Sequence, residues 1–286
     1  MLKVQSSYLD YPYVVGIETL RLCNASCGFC PYTNLPNKGS ELPTETVYGL
    51  IRALRQIPHR FRVNFSRVNE PLLDKRISNF YSYAAETLPN ASFILFSNGS
   101  LLDAGHLQWV IKTPRLIVNV SLNEYEPEPY NQLMGLDFSK TWNNLRMLHA
   151  DWPADGCCYV SRVGDGSFKD AEFVRRVKLE FPKFLVSVSK RFAWLSDRAV
   201  TPPPDAACMQ YYSLHVLSTG RVACCCIDGD GRYGRYEVGD ILTRGISKIY
   251  QSSLLAQGRA NFLPRRKMPA PCSCCDNWGQ TKLTLP

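Results

Sequence analysis

The spacing of the cysteines is the feature of this sequence that points most directly to chemistry. The chain has 12 cysteines among 286 residues, and Cys23, Cys27 and Cys30 lie in one short segment after an apolar stretch. Three thiolates with gaps of three and two residues can hold one 4Fe–4S cubane from a single loop and leave its fourth iron open. An open iron can chelate a small molecule and pass it an electron. The segment therefore predicts a redox-active iron–sulfur site.

Two other interpretations of this segment are open from the residues alone. Structural zinc normally takes four ligands, and no histidine lies near the segment, His59 being the closest. The three cysteines can also be unrelated core residues, because free cysteine behaves as a small hydrophobe. The spacing and the position after a predicted strand favour the cluster.

A second group of cysteines lies toward the end of the chain: Cys208, Cys224, Cys225, Cys226, Cys272, Cys274 and Cys275. The gap between Cys272 and Cys275 is typical of metal chelation. Four thiolates from this group can hold an iron–sulfur cluster or a zinc ion. Cys157 and Cys158 belong to neither group, and we expect them to pack in or before a strand. A thiol facing the centre of the fold can instead donate a hydrogen atom to a substrate radical.

Short apolar strands alternate with amphipathic helices between about residue 12 and residue 200. Val47, Leu50 and Ile51 recur at the spacing of one helix face, and Pro43 and Thr44 mark the start of that helix. The predicted strands cover 13–20, 61–65, 93–96, 116–122, 158–163 and 184–188, and further helices cover 74–88, 103–111, 138–149 and 168–179. This alternation predicts a parallel sheet with its active site at the carboxyl ends of the strands.

The proline-rich segment 201–205 interrupts this alternation and predicts a linker. We expect a core over residues 1–200 and a small cysteine-rich domain over 201–286. The apolar segments 214–217 and 222–225 flank a turn at Gly220 and predict a hairpin. Residues 246–256 predict one helix, and Arg265, Arg266 and Lys267 predict a solvated loop.

The composition is that of an ordinary globular protein, with 45% hydrophobic and 20% charged residues. No apolar run is long enough for a membrane span, and the first residues lack the apolar stretch of a secretory signal. We therefore expect a cytoplasmic protein that does not bind membranes. The net charge of +8 suits an acidic partner, but clustered thiolates offset several of these charges, so nucleic acid is not expected.

The segment Cys23-x3-Cys27-x2-Cys30, with Phe29 before the last cysteine, resembles the signature of the radical S-adenosylmethionine (radical SAM) superfamily. The resemblance covers roughly residues 12–200. It implies an α/β fold, a partial (β/α)6 TIM-like barrel, in which the open iron of a 4Fe–4S cluster binds SAM. Reduction then cleaves SAM to a 5′-deoxyadenosyl radical, which abstracts a hydrogen atom from the substrate. An external reductant such as flavodoxin or ferredoxin is implied.

Further positions match those that bind SAM in this superfamily. Asn69, Glu70 and Pro71 resemble the Gly-Glu-Pro stretch that meets the SAM ammonium group, with Asn in place of Gly. The Glu70 carboxylate or nearby backbone carbonyls can accept those N–H bonds. The remaining matches end the third and fourth strands and imply contacts to the ribose and carboxylate of SAM: Ser97, Asn98, Ser121 and Asn123. Helix capping or a turn is the alternative role for these residues.

The second cysteine group resembles the SPASM and twitch extensions of radical SAM enzymes, closest in spacing to the 2-deoxy-scyllo-inosamine dehydrogenase type from aminoglycoside biosynthesis. Counting from Gly220 and back from Asp228 selects Cys225 among its neighbours. The resemblance implies one auxiliary 4Fe–4S cluster, and so two clusters in all, with the auxiliary ligands Cys208, Cys225, Cys272 and Cys275. Arg162, at the end of the fifth predicted strand, resembles a substrate-contacting arginine of that enzyme type.

These features predict an oxidoreductase for a small polar substrate such as an aminocyclitol or amino sugar. The substrate radical would lose a proton and give its electron to the auxiliary cluster. A radical epimerase with a cysteine hydrogen donor is an alternative, since the chain has surplus thiols. A peptide-modifying enzyme and a non-catalytic iron–sulfur or zinc protein are further alternatives.

Overall fold

The strands in the described part of the chain form one sheet. The computed structural model describes residues 6–191 and 205–275. Within them the strand order is β6-β5-β4-β3-β2-β1-β7-β8-β9. The strands are β1 Val14–Ile17, β2 Phe61–Asn64, β3 Ala91–Ser97, β4 Leu116–Ser121, β5 Cys157–Gly164, β6 Leu185–Lys190, β7 Ser213–Val216, β8 Arg221–Ala223 and β9 Tyr236–Glu237. Strands β1 to β6 are parallel neighbours in chain order, which is the arrangement of a partial barrel.

Helices connect the strands and cover the outer face of the sheet. They are α1 Ser7–Asp10, α2 Thr44–Ala53, α3 Ile77–Thr87, α4 Ala104–Lys112, α5 Pro127–Met134, α6 Phe138–Asp151, α7 Phe168–Glu180, α8 Val238–Arg244, α9 Ile246–Gln251 and α10 Ala256–Asn261. Side-chain caps begin three of them, with Asp103, Asp137 and Ser167 accepting from backbone N–H groups of the first turn. No described helix combines the length and the apolar character needed to cross a membrane.

Alternation along each strand separates a helix-facing side from an inner side. On β5, Cys158 and Val160 are fully buried in the same core cluster as Phe173 and Val177 of α7. Ser161, which follows Val160 and faces the other side of the sheet, is only partly buried, and its hydroxyl donates to Asn119 Oδ1 of β4 at 2.7 Å. The helix-facing side therefore forms the apolar core, and the inner side of the partial barrel is polar.

The predicted α/β class and partial barrel are confirmed, with one addition at the first strand. Strand β7 pairs parallel with β1, so the C-terminal segment extends the core sheet. The predicted hairpin follows as β7 and β8, with Gly220 in the turn at φ +87°. The prediction of one helix over 246–256 is wrong. The Ser252 hydroxyl donates to the Lys248 carbonyl and the Ser253 amide donates to the Tyr250 carbonyl, which turns the chain between α9 and α10.

Candidate active site and cluster sites

The first cysteine loop follows β1 and exposes part of each thiol. Cys23, Cys27 and Cys30 are all partly buried, and the Cys30 amide donates to the Cys27 carbonyl at 3.0 Å. Burial, with a smaller contribution from the neighbouring Cys30, raises the pKa of Cys23 to about 11 and that of Cys27 to about 12. These thiols are protonated at neutral pH without metal, so binding iron must release protons.

The loop is fixed to the C-terminal end of α5 by its backbone. The amides of Ser26 and Gly28 donate to the carbonyls of Met134 and Leu133 at 2.8 and 3.3 Å. Gly135 ends α5 with φ +66°, and a Cβ at this position would overlap Ser26 Oγ. Only glycine fits both the left-handed conformation and this close approach. Phe29, in the same loop, packs half-buried against the main core.

An ion pair between Glu18 and Arg21 connects the start of this loop to the C-terminal hairpin. Both side chains are fully buried, with Arg21 Nη2 2.8 Å from Glu18 Oε2. The Glu18 carboxylate also accepts from the amide and hydroxyl of Ser218 in the β7–β8 turn. Arg21 donates to the carbonyl of Gly229 at 3.1 Å. The stretch of chain that leads to the first cysteines is therefore held in place by Ser218 and Gly229 of the C-terminal segment.

Glu70 occupies the centre of the segment that follows β2. Its buried carboxylate accepts from the Asn98 amide at 2.7 Å, the Ser97 hydroxyl at 2.9 Å and the Leu72 amide at 3.2 Å. Burial raises its pKa to about 7, and these three donors lower it. Pro71 then begins a 3-10 turn. The carboxylate thus accepts hydrogen bonds from groups of the protein itself. The backbone carbonyls of this segment are the acceptors that an ammonium group can use.

Asn98 joins the end of β3 to the cysteine loop. Its side-chain amide donates to Asn24 Oδ1 at 2.9 Å, and its Oδ1 accepts from the amide and hydroxyl of Ser100. The Asn24 amide in turn donates to the Ser100 hydroxyl at 2.9 Å. Sequence reasoning missed Asn24 and Ser100, and the only signal for Asn24 was its place beside Cys23. The residues after β2, at the end of β3 and in the cysteine loop therefore form one hydrogen-bonded unit.

Ser121 and Asn123, at the end of β4, lie in different environments. Ser121 is partly buried on the inner side of the barrel. Asn123 is buried with φ +65°, and its Oδ1 accepts from the Val163 amide at 2.9 Å. The Asn123 side chain is therefore used to hold β4 to β5, and Ser121 is the residue of this pair that faces the barrel interior.

Arg162 lies on the helix-facing side of β5. A residue that contacts substrate in the barrel would be expected on the inner side. Its guanidinium donates to Asp170 Oδ1 at 2.8 Å and to the Asn123 carbonyl, and it lies over the Phe173 ring of α7. Glu124 lies 3.6 Å away, and only 5% of the Arg162 side chain is exposed. The alternation along β5 turns this residue outward, so in this arrangement Arg162 fixes the loop after β4.

The second cysteine group surrounds a cavity under the C-terminal helices. The wall of this cavity includes Cys208, Cys225, Cys272 and Cys275 together with Tyr211, Leu255 and Arg265. Three of these cysteines belong to a second core cluster, which also contains Tyr8, Tyr13 and Met268. The structure therefore brings the four expected ligands, which lie far apart in sequence, to one enclosed space.

The three consecutive cysteines after β8 have different environments. Cys225 lines the cavity, whereas Cys224 and Cys226 are not among its lining residues. A hydrogen bond with Cys224 lowers the pKa of Cys225 and raises that of Cys224. Asp228 accepts from the Cys224 amide at 3.0 Å and shapes the turn that presents Cys225. Cys225 is thus the cysteine of the three that most readily supplies a thiolate to the cavity.

Two arginines lie against this region, and sequence reasoning assigned neither of them to the second site. Arg265 is 1% exposed and lines the cavity, so the prediction that it belongs to a solvated loop is wrong. Arg67, in the segment before Glu70, donates to the carbonyls of Cys225 and Asp228 at 3.3 and 3.4 Å. Arg67 also lowers the pKa of the buried His215, although burial lowers it more. The Arg265 position had no signal in the sequence beyond a run of basic residues.

The residues present fit iron–sulfur clusters at both places. In the described residues, no three His, Cys, Asp or Glu side chains converge closely enough to bind a single metal ion. The first loop presents three partly exposed thiols, and the second site presents four cysteines in the wall of one cavity. Three ligands leave an iron open, and four ligands complete a cubane.

Similar proteins carry the same fold. A 96-residue segment is 28% identical to the S-adenosyl-L-methionine-dependent 2-deoxy-scyllo-inosamine dehydrogenase of Niallia circulans, and it spans 33% of this chain and 38% of that relative. The crystal structure of BtrN in complex with AdoMet and 2-DOIA matches with a TM-score of 0.67 at 17% identity, over 94% of this chain and 95% of that one. Streptococcus suis SuiB bound to precursor peptide SuiA matches with a TM-score of 0.63 at 13% identity, over 93% of this chain and 70% of that one.

Two family profiles divide the chain in agreement with the two cysteine sites. The SPASM iron–sulfur cluster-binding domain matches residues 208–276, which contain the second site. The Radical SAM superfamily profile matches residues 17–176, which contain the first site and the strands that carry it. Together these matches imply SAM and two 4Fe–4S clusters as cofactors. Since the Radical SAM profile covers more than half of the chain, the protein belongs to the radical SAM superfamily.

Proposed function

We propose that this radical SAM enzyme is an oxidoreductase that removes two electrons from a small polar substrate such as an aminocyclitol or amino sugar. The observation that carries the proposal is the cavity with four cysteines in its wall, because a fully ligated cluster offers an electron acceptor and no substrate-binding iron. The similarity to 2-deoxy-scyllo-inosamine dehydrogenase supports the substrate class.

In this proposal Cys23, Cys27 and Cys30 hold the first cluster. When bound there and reduced by an external donor such as flavodoxin or ferredoxin, such a cluster would supply the electron for SAM cleavage, and so the radical chemistry that removes a hydrogen from a substrate C–H bond. The chain would bind SAM with the segment from Asn69 to Pro71 and with Phe29. Glu70 would act indirectly, because its carboxylate already orders the Ser97 hydroxyl and the Asn98 amide. Ser121, on the inner side of β4, would contact the cofactor.

The second cluster would be held by Cys208, Cys225, Cys272 and Cys275 in a domain that begins near residue 201. The substrate radical must lose a proton and one electron to become a ketone. The Arg67 hydrogen bonds to Cys225 and Asp228 link the segment before Glu70 directly to the second site. This short connection favours transfer of the electron from the barrel interior to the second cluster.

The epimerase alternative needs a thiol beside the reacting carbon. Cys158 is fully buried among helix-facing core residues, so it is unsuited to that role. Cys157 lies at the N-terminal end of β5, at the opposite end of the strand from the SAM-binding loops. Of the surplus thiols, Cys226 is partly buried next to the second site and is the best candidate. The placement of Cys157 and Cys158 therefore favours oxidation over hydrogen return.

The test uses anaerobically reconstituted protein, SAM, a chemical reductant and 2-deoxy-scyllo-inosamine in heavy water. A dehydrogenase forms a ketone that is two hydrogen atoms lighter, with one 5′-deoxyadenosine per product and no solvent deuterium at the reacting carbon. Product with one deuterium at an inverted carbon and no loss of hydrogen would establish the epimerase instead. Turnover of a peptide, with aminocyclitols and amino sugars left unchanged, would replace the proposed substrate class.

A further inference from the structure

Among the described residues that line the cavity of the second cysteine site, Arg265 is the one with a positively charged side chain. It lines the cavity with Cys208, Cys225, Cys272 and Cys275, and it is 1% exposed to solvent. Its amide donates to the Ala206 carbonyl at 3.1 Å, which fixes the start of the cysteine-rich segment against it.

A 4Fe–4S cluster with four thiolate ligands is an anion, and its burial in a low-dielectric cavity is costly unless a positive charge offsets it. Its oxidised form carries a net charge of −2 with its ligands, and one-electron reduction makes this −3. A fixed positive charge in a low-dielectric site stabilises the more negative form and raises the reduction potential. We propose that Arg265 is a charge-compensating residue of the second cluster, which permits the cluster to assemble in a buried cavity and raises its potential so that it accepts an electron. This inference rests on the ligand set proposed above.

The neighbouring residue provides a matched control. Arg266 has the same side chain one position later, but 57% of that side chain is exposed, and it pairs with Asp205 at 2.6 Å. It does not line the cavity. Loss of its charge should be screened by solvent, whereas loss of the Arg265 charge should act on the cluster directly.

The experiment uses full-length protein in which Cys23, Cys27 and Cys30 are replaced by Ala, so that only the second cluster contributes. Iron content and an EPR-monitored redox titration are measured for this parent and for Arg265→Met, Arg265→Gln, Arg265→Lys and Arg266→Gln in the same background. The neutral Arg265 variants should lower the one-electron equilibrium constant for reduction at least tenfold, which is about 59 mV. Arg265→Lys keeps the positive charge and Arg266→Gln changes an exposed position, so both should stay within about twofold of the parent, about 18 mV.

Each other outcome also decides the question. If the neutral variants lose iron and Arg265→Lys keeps it, the charge is required for assembly, which supports the proposal. Fully loaded neutral variants with the potential of the parent would overturn it. An Arg265→Lys variant that fails together with the neutral ones would also overturn it, because packing and not charge would then be essential. Zinc in place of iron in the parent would refute the second cluster itself, and so separates failure of the proposed function from failure of this role for Arg265.

Discussion

The two cysteine sites are built in opposite ways. The first lies in one short loop, with three partly exposed thiols held by backbone bonds to the end of α5. The second gathers Cys208, Cys225, Cys272 and Cys275 from distant parts of the chain into the wall of a cavity. A site that must admit SAM and an electron donor is kept local and accessible. On the proposed function the second site would exchange only electrons, and such a site can be buried in the packing of its domain.

The difference extends to what each set of cysteines stabilises. Cys225, Cys272 and Cys275 are members of the second core cluster, with Tyr211, Leu255 and Met268. Cys27, by contrast, only borders the main core, whose buried residues come from the strands and helices. Loss of the first cluster should therefore remove activity and leave the fold, whereas loss of the second should also loosen the C-terminal segment.

The largest effect is expected for the first site. Replacing Cys23, Cys27 or Cys30 with Ala removes one of only three anchors, so formation of 5′-deoxyadenosine should fall to background. Iron content should drop from about eight to about four per chain, with little change in the melting temperature. The control is Cys274→Ala, which removes an exposed cysteine near the other site. SAM cleavage by a variant of the first loop would contradict the assignment.

The next effect concerns the choice among the consecutive cysteines after β8. Cys225→Ala should lose the second cluster, retain about four irons and melt at a lower temperature, since both a ligand and a core side chain are removed. Cys224→Ala and Cys226→Ala should keep about eight irons, because neither residue lines the cavity. Iron analysis and thermal melts of the three variants make the comparison. Loss of iron in Cys226→Ala but not in Cys225→Ala would move the ligand by one position.

A smaller effect is expected where α5 meets the first loop. Gly135→Ala places a methyl group against Ser26 Oγ and should displace the cysteine loop, so iron at the first site should fall by about half or more while the second site stays loaded. Gly166→Ala is the control, because Gly166 also has a positive φ of +81° but a methyl group there would meet no other part of the protein within 4 Å. Equal iron loss in both variants would assign the effect to backbone strain alone.

The sequence predicted the parts of the molecule that depend on short-range patterns. Periodicity located the six parallel strands, and the gaps between Cys23, Cys27 and Cys30 located the first site. The partners of Glu70, the outward side of Arg162 and the burial of Arg265 were not predictable, since each depends on contacts between segments far apart in the chain. Alternation along β5 was visible in the sequence, but the face that packs on α7 became clear only from the structure.

The smallest expected effect is a dependence of stability on pH. Glu70, after β2, and His215, on β7, are both buried, and their pKa shifts change the free energy of unfolding in opposite directions. Burial raises the pKa of Glu70 to about 7 from its ordinary 4.5. The folded state therefore binds more protons than the unfolded state between these values, and stability falls as pH rises from about 5 to about 7. His215 acts in the opposite direction, since burial lowers its pKa and the unfolded state binds the proton.

In Glu70→Gln this fall in the free energy of unfolding should be absent. The difference in unfolding free energy between wild type and Glu70→Gln should therefore change by about 2 kcal/mol between pH 5 and pH 8. In His215→Gln the rise in unfolding free energy as the pH increases toward 6.5 should disappear. Above pH 6.5 the pH dependence should stay that of wild type. Urea unfolding of iron-free protein at several pH values measures both, and Gln132→Glu, at an exposed position of α5, controls for a simple change of charge. A difference between wild type and Glu70→Gln that is independent of pH would show that the Glu70 carboxyl is ionised throughout this range, held so by the Asn98, Ser97 and Leu72 donors.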